Sequence, residues 1–285
     1  MPERKRSATV SVDIDAPAAA VWKALTDARE MVRWFPPHAE VEPGAGGHIV
    51  WRWDDAFTMA GLIEEWDPER RLVLVQEREP PHDADGRAAD GAAPARLVMD
   101  FNIETRHGRT RLTLVHSGFG HGAEWDDELE GVANGWHFEL RSLAHYLAAH
   151  RGRDRHTGWA HTTVEADHAD VWRTLASADG FVLADNMRAA GAEYALTLPS
   201  GEALTGTSIR YVPEREWFGT ARELDDGIVR IHTWRGGGRT GVSIWFATWN
   251  TRHATRVASL QDAAQAFLDA RIQTTKGESQ TATGG

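Results

Sequence analysis

Residues 125–150 read WDDELEGVANGWHFELRSLAHYLAAH. Leu129, Val132, Trp136, Leu140, Leu143 and Leu147 recur at steps of three or four, which draws one apolar stripe along a helix of about seven turns. Asp126, Asp127 and Glu128 stand at its start and His145, His150 and Arg151 at its end, the charge order that a helix macrodipole favours. Such a stripe must be buried against something. Nearly every segment ahead of it alternates as strand, so the pattern predicts a curved antiparallel sheet wrapped around this one helix.

Upstream, residues 9–14 alternate as a strand, and Ala16-Pro17 opens a helix through Ala20, Val21, Trp22 and Leu25. A second short helix over 29–35 stops at Pro36-Pro37. Ile49, Trp51 and Trp53 then share one strand face, with a hairpin expected at Asp54-Asp55. Strands follow over 57–66 and 72–79. Residues 80–94 form a polar, low-complexity stretch that is expected to be a mobile loop. Leu97, Met99, Phe101 and Ile103 lie on one face of the next strand, and Leu112, Leu114 and His116 on one face of the strand after the Gly108 hairpin.

The second half repeats the first. AVWKAL at 20–25 returns as DVWRTL at 170–175, setting Trp22 against Trp172. GLIEEWDPER at 61–70 returns as GTSIRYVPER at 206–215, and Gly108-Arg109-Thr110 returns as Gly238-Arg239-Thr240. Carried along the strands, the repeat sets Ile49, Trp51 and Trp53 against Tyr194, Leu196 and Leu198, Phe101 against Ile231, and His116 against Phe246. Leu260, Ala264, Phe267 and Leu268 carry a shorter closing helix. The expected organisation is a domain over 7–152, a second, diverged domain over 157–273 and a disordered tail over 274–285. Trp234, Trp245 and Trp249 fall on the face of the second sheet expected to be wet, and are read as contacts between domains or between subunits.

A net charge of −11 without a basic stripe argues against nucleic acid or an anionic membrane as partner. The absence of cysteine excludes disulfides, thiolate nucleophiles and thiolate metal sites. No run approaches the 18 or so apolar residues needed to span a bilayer, and no apolar stretch follows the basic start, so a cytoplasmic protein is expected.

Residues 7–150 resemble the START-like superfamily (SRPBCC), in particular its activator-of-Hsp90-ATPase-homology branch. The resemblance rests on A-P-x-x-x-V-W-x-A-L-T-D from Ala16 to Asp27, the Gly46-Gly47 turn, Gly-x-Ile-x-x-Trp-x-Pro-x-x-Arg-Leu from Gly61 to Leu72, and Gly135-Trp136 followed by spaced leucines. Residues 157–272 resemble the same family more faintly, lacking the Gly-Trp motif and most of the second short helix. The resemblance implies an α+β architecture: two tandem helix-grip domains, each a curved antiparallel sheet around a long C-terminal helix, the first with an open hydrophobic cavity between sheet and helix and the second degenerate. The tandem layout resembles START-like proteins of enediyne (dynemicin-type) antibiotic gene clusters. It implies a hydrophobic small molecule as partner, an aromatic polyketide or enediyne-type metabolite bound in biosynthesis or self-resistance. A polyketide cyclase or aromatase using the same cavity is the alternative, and an Hsp90-type co-chaperone a third reading.

Trp51, Trp53, Met99, Phe101, Leu112, Leu114, Trp136 and Leu140 are the candidate cavity lining. By periodicity alone the same residues pack on each other as solid core, and it is the resemblance that turns them toward a cavity. Trp136 stands out because a buried indole N–H needs an acceptor. His116 is the one titratable residue on the inner face, a ligand contact or a candidate for proton transfer in an enzyme, although a single histidine on an apolar face is more often a satisfied core residue. His116 and His121 lack the spacing and carboxylate of a metal site, and no metal or cofactor is expected. Gly118 to Ala123 mimics a dinucleotide fingerprint without the parallel βαβ unit that such a site requires, and is read instead as a flexible mouth to the cavity.

Overall fold

Alternation of apolar and polar side chains builds two antiparallel sheets, each closed by one amphipathic helix. The computed structural model describes residues 6–53, 58–78, 95–177, 180–181, 185–236 and 238–272. The expected hairpin at Asp54-Asp55, the low-complexity stretch and the C-terminal tail lie outside the described residues. The chain divides into two compact units, Met1–Arg153 and Asp154–Gly285. No helix among the described residues is long and apolar enough to cross a membrane.

In the first unit β1 (Arg6–Ile14) leads into α1 (Ala18–Thr26) and α2 (Ala28–Met31). There follow β2 (His38–Val41), β3 (His48–Arg52), β4 (Thr58–Asp67), β5 (Arg71–Arg78), β6 (Ala95–Arg106), β7 (Arg109–Phe119) and α3 (Ala123–His145). The seven strands lie in the order β1-β7-β6-β5-β4-β3-β2, with every neighbouring pair antiparallel. Leu97, Met99, Phe101 and Ile103 of β6, with Leu112, Leu114 and His116 of β7, are all buried. The opposite face carries ion pairs such as Arg71 with Asp100 and Glu65, and Arg96 with Glu64.

Three local features depart from the sequence pattern. The closing helix ends as regular α-helix at His145 and continues as a π-helical turn, Tyr146–His150. The second short helix spans only Ala28–Met31; Asp27 caps it by accepting from the Arg29 and Glu30 amides at 2.9 and 3.1 Å, and the chain leaves helical geometry before Pro36, as a residue preceding proline must. The glycine run before α3 does not form an open mouth. Gly118 has φ +101° and a side chain there would strike the Arg96 carbonyl, while Gly120 lies directly beneath the Trp125 indole, which packs with Leu97 and Phe119.

In the second unit β8 (His156–Val164), α4 (His168–Leu175), β9 (Glu193–Thr197), β10 (Ala203–Val212), β11 (Glu216–Ala221), β12 (Gly227–Gly236), β13 (Arg239–Thr248) and α5 (Ala254–Phe267) form a six-stranded sheet ordered β8-β13-β12-β11-β10-β9. Helix α5 lies against β8 and β13. The repeated motifs prove to be joints. Trp22 packs edge-on to Trp66 at 5.0 Å, and Trp172 meets Tyr211 at 6.5 Å. Thr110 Oγ1 donates to the Ala16 carbonyl at 2.6 Å, and Thr240 Oγ1 to the Ala166 carbonyl at 2.8 Å. The Arg70 and Arg215 carbonyls accept from Ile103 and Thr233, both at 2.8 Å. The aromatic pairs tie α1 and α4 to β4 and β10, and the other joints tie the approach to each helix and the turn after β4 or β10 to the hairpins β6–β7 and β12–β13.

The face of the second sheet expected to be wet is largely not. Phe218 and Trp249 are buried, and Trp234 and Trp245 are half-buried, Trp234 stacked on His232 and Trp245 beneath Arg155. Burial, and then Arg215 and Arg235, lower the proton affinity of His168, whose Nε2 lies 2.7 Å from Thr233 Oγ1; burial and Arg230 lower that of His232 further. Unfolded, both titrate near 6.5. Below that pH the unfolded chain binds the additional protons, so stability is greatest above about 6.5 and falls on acidification toward the folded values, by at most about 1.4 kcal/mol per pH unit for each group. Denaturant midpoints between pH 7.5 and 5 should therefore decline, and His168→Asn with His232→Asn should flatten that decline.

Candidate functional site

One end of the first unit's core is a box of aromatic rings. Strand β3 contributes Trp51, β5 contributes Leu72 and Leu74, β6 contributes Phe101, α1 contributes Leu25, and α3 contributes Trp136. Met31 of α2 and the Trp34-Phe35 pair just after it close the box. Phe35 is the hub: its ring stacks on Trp34 at 5.2 Å and meets Trp51 at 5.9 Å, Trp53 at 5.3 Å and Trp136 at 5.3 Å. Trp136 in turn stands edge-on to Phe101 at 5.7 Å. The cavity these residues enclose is about 10 Å³. That is room for roughly one water.

Each indole N–H of the box has an acceptor. Trp34 Nε1 donates to the Ala24 carbonyl at 2.9 Å and Trp136 Nε1 to His116 Nδ1 at 3.1 Å. Trp51 Nε1 points at Met31 Sδ, 3.0 Å away. A thioether is a weak acceptor. Trp51 is therefore the wall residue whose polar hydrogen a ligand oxygen could capture at little cost.

Of the expected lining, Trp51, Phe101 and Trp136 line the cavity, and Trp53 reaches it through Phe35. Met99, Leu112, Leu114 and Leu140 are fully buried elsewhere in the core. His116 stands behind Trp136, and because its Nδ1 accepts, a neutral ring carries its proton on Nε2. The open cavity expected from the resemblance is closed in this structure, because Phe35 and Trp136 fill it. Leu25, Met31, Trp34, Phe35, Leu72 and Leu74 are lining residues that strand parity did not single out. Parity selects a face and cannot say which part of the face borders a gap. The Trp34-Phe35 pair before two prolines was the available signal, since rings held at a forced chain exit must pack on the nearest core.

Helix α2 is a partition. On its inner side Met31 walls the aromatic box, and on its outer side Ala28, Arg29 and Val32 wall a solvent-open groove of about 380 Å³ shared with Pro37, His38, Ala39, Glu40, Val50 and Arg52. The groove's Arg52 pairs with Glu40 at 3.5 Å. Glu30 tethers the partition. It accepts from the Tyr146 hydroxyl at 2.7 Å and from Arg33 at 2.9 Å, and Tyr146 accepts from the Gly152 amide at 3.0 Å. Burial, with the Glu30 hydrogen bond, pushes the Tyr146 pKa up to about 12. Among the described residues lining the aromatic box none is charged.

Residues 15–148 match the family model described as Activator of Hsp90 ATPase homolog 1-like protein. Among solved structures, a Mesorhizobium loti protein matches at 20% identity over 50% of this chain and 97% of its own, with a TM-score of 0.42. The Aha1 dimer from Colwellia psychrerythraea matches at 16% identity over 52% of this chain and 99% of its own, with a TM-score of 0.39. DynU16, a protein of the dynemicin biosynthetic locus, matches at 18% identity over 92% of this chain and 95% of its own, with a TM-score of 0.42. No curated protein matches the sequence.

Proposed function

Given a first domain that matches the Activator of Hsp90 ATPase homolog 1-like family over residues 15–148, a family of the START-like superfamily, we propose that this chain binds a flat, uncharged, largely apolar small molecule in the aromatic box. The single observation that carries the reading is the wall itself: five aromatic rings, Trp34, Phe35, Trp51, Phe101 and Trp136, converge on one cavity with no charged residue among its described lining. Rings in that arrangement favour a flat aromatic guest through stacking and edge contacts, and the Trp51 N–H offers it one hydrogen bond. An aromatic polyketide or enediyne-type metabolite, bound in the cytoplasm during biosynthesis or self-resistance, is the finer form of this proposal.

Ligand pockets usually measure about 300–1,000 Å³, so the box must open. Half-buried Phe35 and the short helix α2 are the parts to move, because beyond them lies the outer groove. Cyclisation or aromatisation in the box would need a group there that moves protons; the described lining supplies none, and His116 is screened by Trp136. Sequestration is the reading this chemistry favours.

Tryptophan fluorescence of the full chain, titrated with an anthraquinone, a steroid and a fatty acid, tests the proposal. Saturable quenching by the anthraquinone is expected, with faster association in Phe35→Ala, where the obstruction is removed. Absence of saturable binding by any of the three would refute it.

A further inference from the structure

We propose that His145 and His150 form a two-histidine site for a borderline divalent transition-metal ion, zinc, cobalt or nickel, at the C-terminal end of α3. On a regular α-helix residues five apart do not share a face, since neighbours on the surface are three and four apart. The π-helical turn Tyr146–His150 alters that spacing and brings the two rings to 5.0 Å, with Nε2 of one 3.3 Å from Nε2 of the other. For a direct hydrogen bond this is long. It is close to the edge of a tetrahedral site: metal–nitrogen bonds of about 2.0–2.1 Å at the tetrahedral angle set two nitrogens about 3.3–3.4 Å apart. A metal ion between the two nitrogens would take one lone pair from each ring.

The second unit supplies a comparison within the same chain. Helix α5 also ends in a five-residue π-helical turn, Leu268–Ile272, directly after Phe267. The positions equivalent to His145 and His150 are therefore Phe267 and Ile272, both buried. A turn of this kind forms without imidazole, so the histidines are not there to build it. His150 is 3% exposed and so is held in place, whereas His145 is half-buried. The helix C-terminus adds negative potential that favours a cation. Short π-helical turns occur frequently at functional sites.

The test uses the full chain and the metal alone. Titration with Co²⁺, followed by its visible absorption, and with Zn²⁺, by competition with a chromophoric indicator, should show saturable binding of one ion per chain, with a cobalt spectrum typical of nitrogen ligands. Loss of an outer partner of a metal ligand already weakens binding by about 10–100-fold, so His145→Gln should weaken it at least as much. His150→Gln should do the same where the buried substitution still folds, and the half-buried His145 keeps the test decisive where it does not. His48→Gln, on an exposed histidine paired with Glu42, should leave binding unchanged. Lack of saturable binding, or binding that His145→Gln leaves intact, overturns the proposal.

Discussion

Glu216→Ala is expected to destabilise the second unit by about 3–5 kcal/mol, the cost of stripping a buried ion pair of one partner. The Glu216 side chain is 1% exposed and lies between Arg230 and Arg210, which are only 11% and 17% exposed. Arg230 donates from Nε at 2.8 Å and its Nη2 lies 2.6 Å from the same oxygen as an ion pair, while Arg210 donates to the other carboxylate oxygen. Without the carboxylate, two desolvated guanidinium groups remain together beside His232, which is opposite Glu216 in the β11–β12 register. Glu216→Gln keeps an acceptor but no charge, and should fall between the variant and the parent. Replacing all three charged residues by Met should recover much of the loss, since buried ionic triads are often no more stable than apolar packing of the same volume. Hydrogen exchange of the β12 amides reads the local stability, and a loss under about 1 kcal/mol in Glu216→Ala would show that the triad is not desolvated as described.

Trp136→Ala should be comparably severe in the first unit, about 3–5 kcal/mol, because it combines lost burial with a cavity that the surroundings cannot fill. Trp136 is 7% exposed and joins three elements: Phe35 after α2, Phe101 on β6 and His116 on β7. Trp136→Phe separates the two contributions. It keeps a ring against Phe35 and Phe101 but leaves His116 Nδ1 without its donor, a loss of about 1–3 kcal/mol. Urea denaturation followed by far-UV circular dichroism measures both variants. Equal losses for Ala and Phe would assign the effect to the hydrogen bond, and a negligible loss for Ala would contradict the packing described.

The sequence made the frame of this protein legible because two periodicities survive without tertiary information. The stripe from Leu129 to Leu147 placed the closing helix, and strand alternation carried through the internal repeat assigned inward faces to residues that are buried: Ile49 and Tyr194, Trp51 and Leu196, Phe101 and Ile231, His116 and Phe246. The repeat also marked the joints, since Trp22 with Trp66 and Thr110 with Ala16 each recur in the second copy. Other features have no local signature. Strand β2 is four residues long and half exposed, too short for alternation to show. A π-helical turn depends on one displaced hydrogen bond, which Tyr146–His150 does not announce in composition. Phe35 became the hub of the site through contacts with residues up to a hundred positions away. Phe218 and Glu216 are buried on a sheet face whose residue types include arginine and histidine, because burial of a face is decided by long-range packing and not by the strand itself.

In the proposed function the first unit's aromatic box opens by displacement of Phe35 and α2 and closes on a flat apolar ligand. Hydrogen–deuterium exchange of the full chain, with and without saturating anthraquinone, reads this movement. Protection should rise in residues 28–35, in β3 and around Trp136 of α3, with β8 to β13 unchanged. Protection confined to β8 to β13, or no change in residues 28–35 when the ligand is demonstrably bound, would contradict an opening at Phe35 and α2.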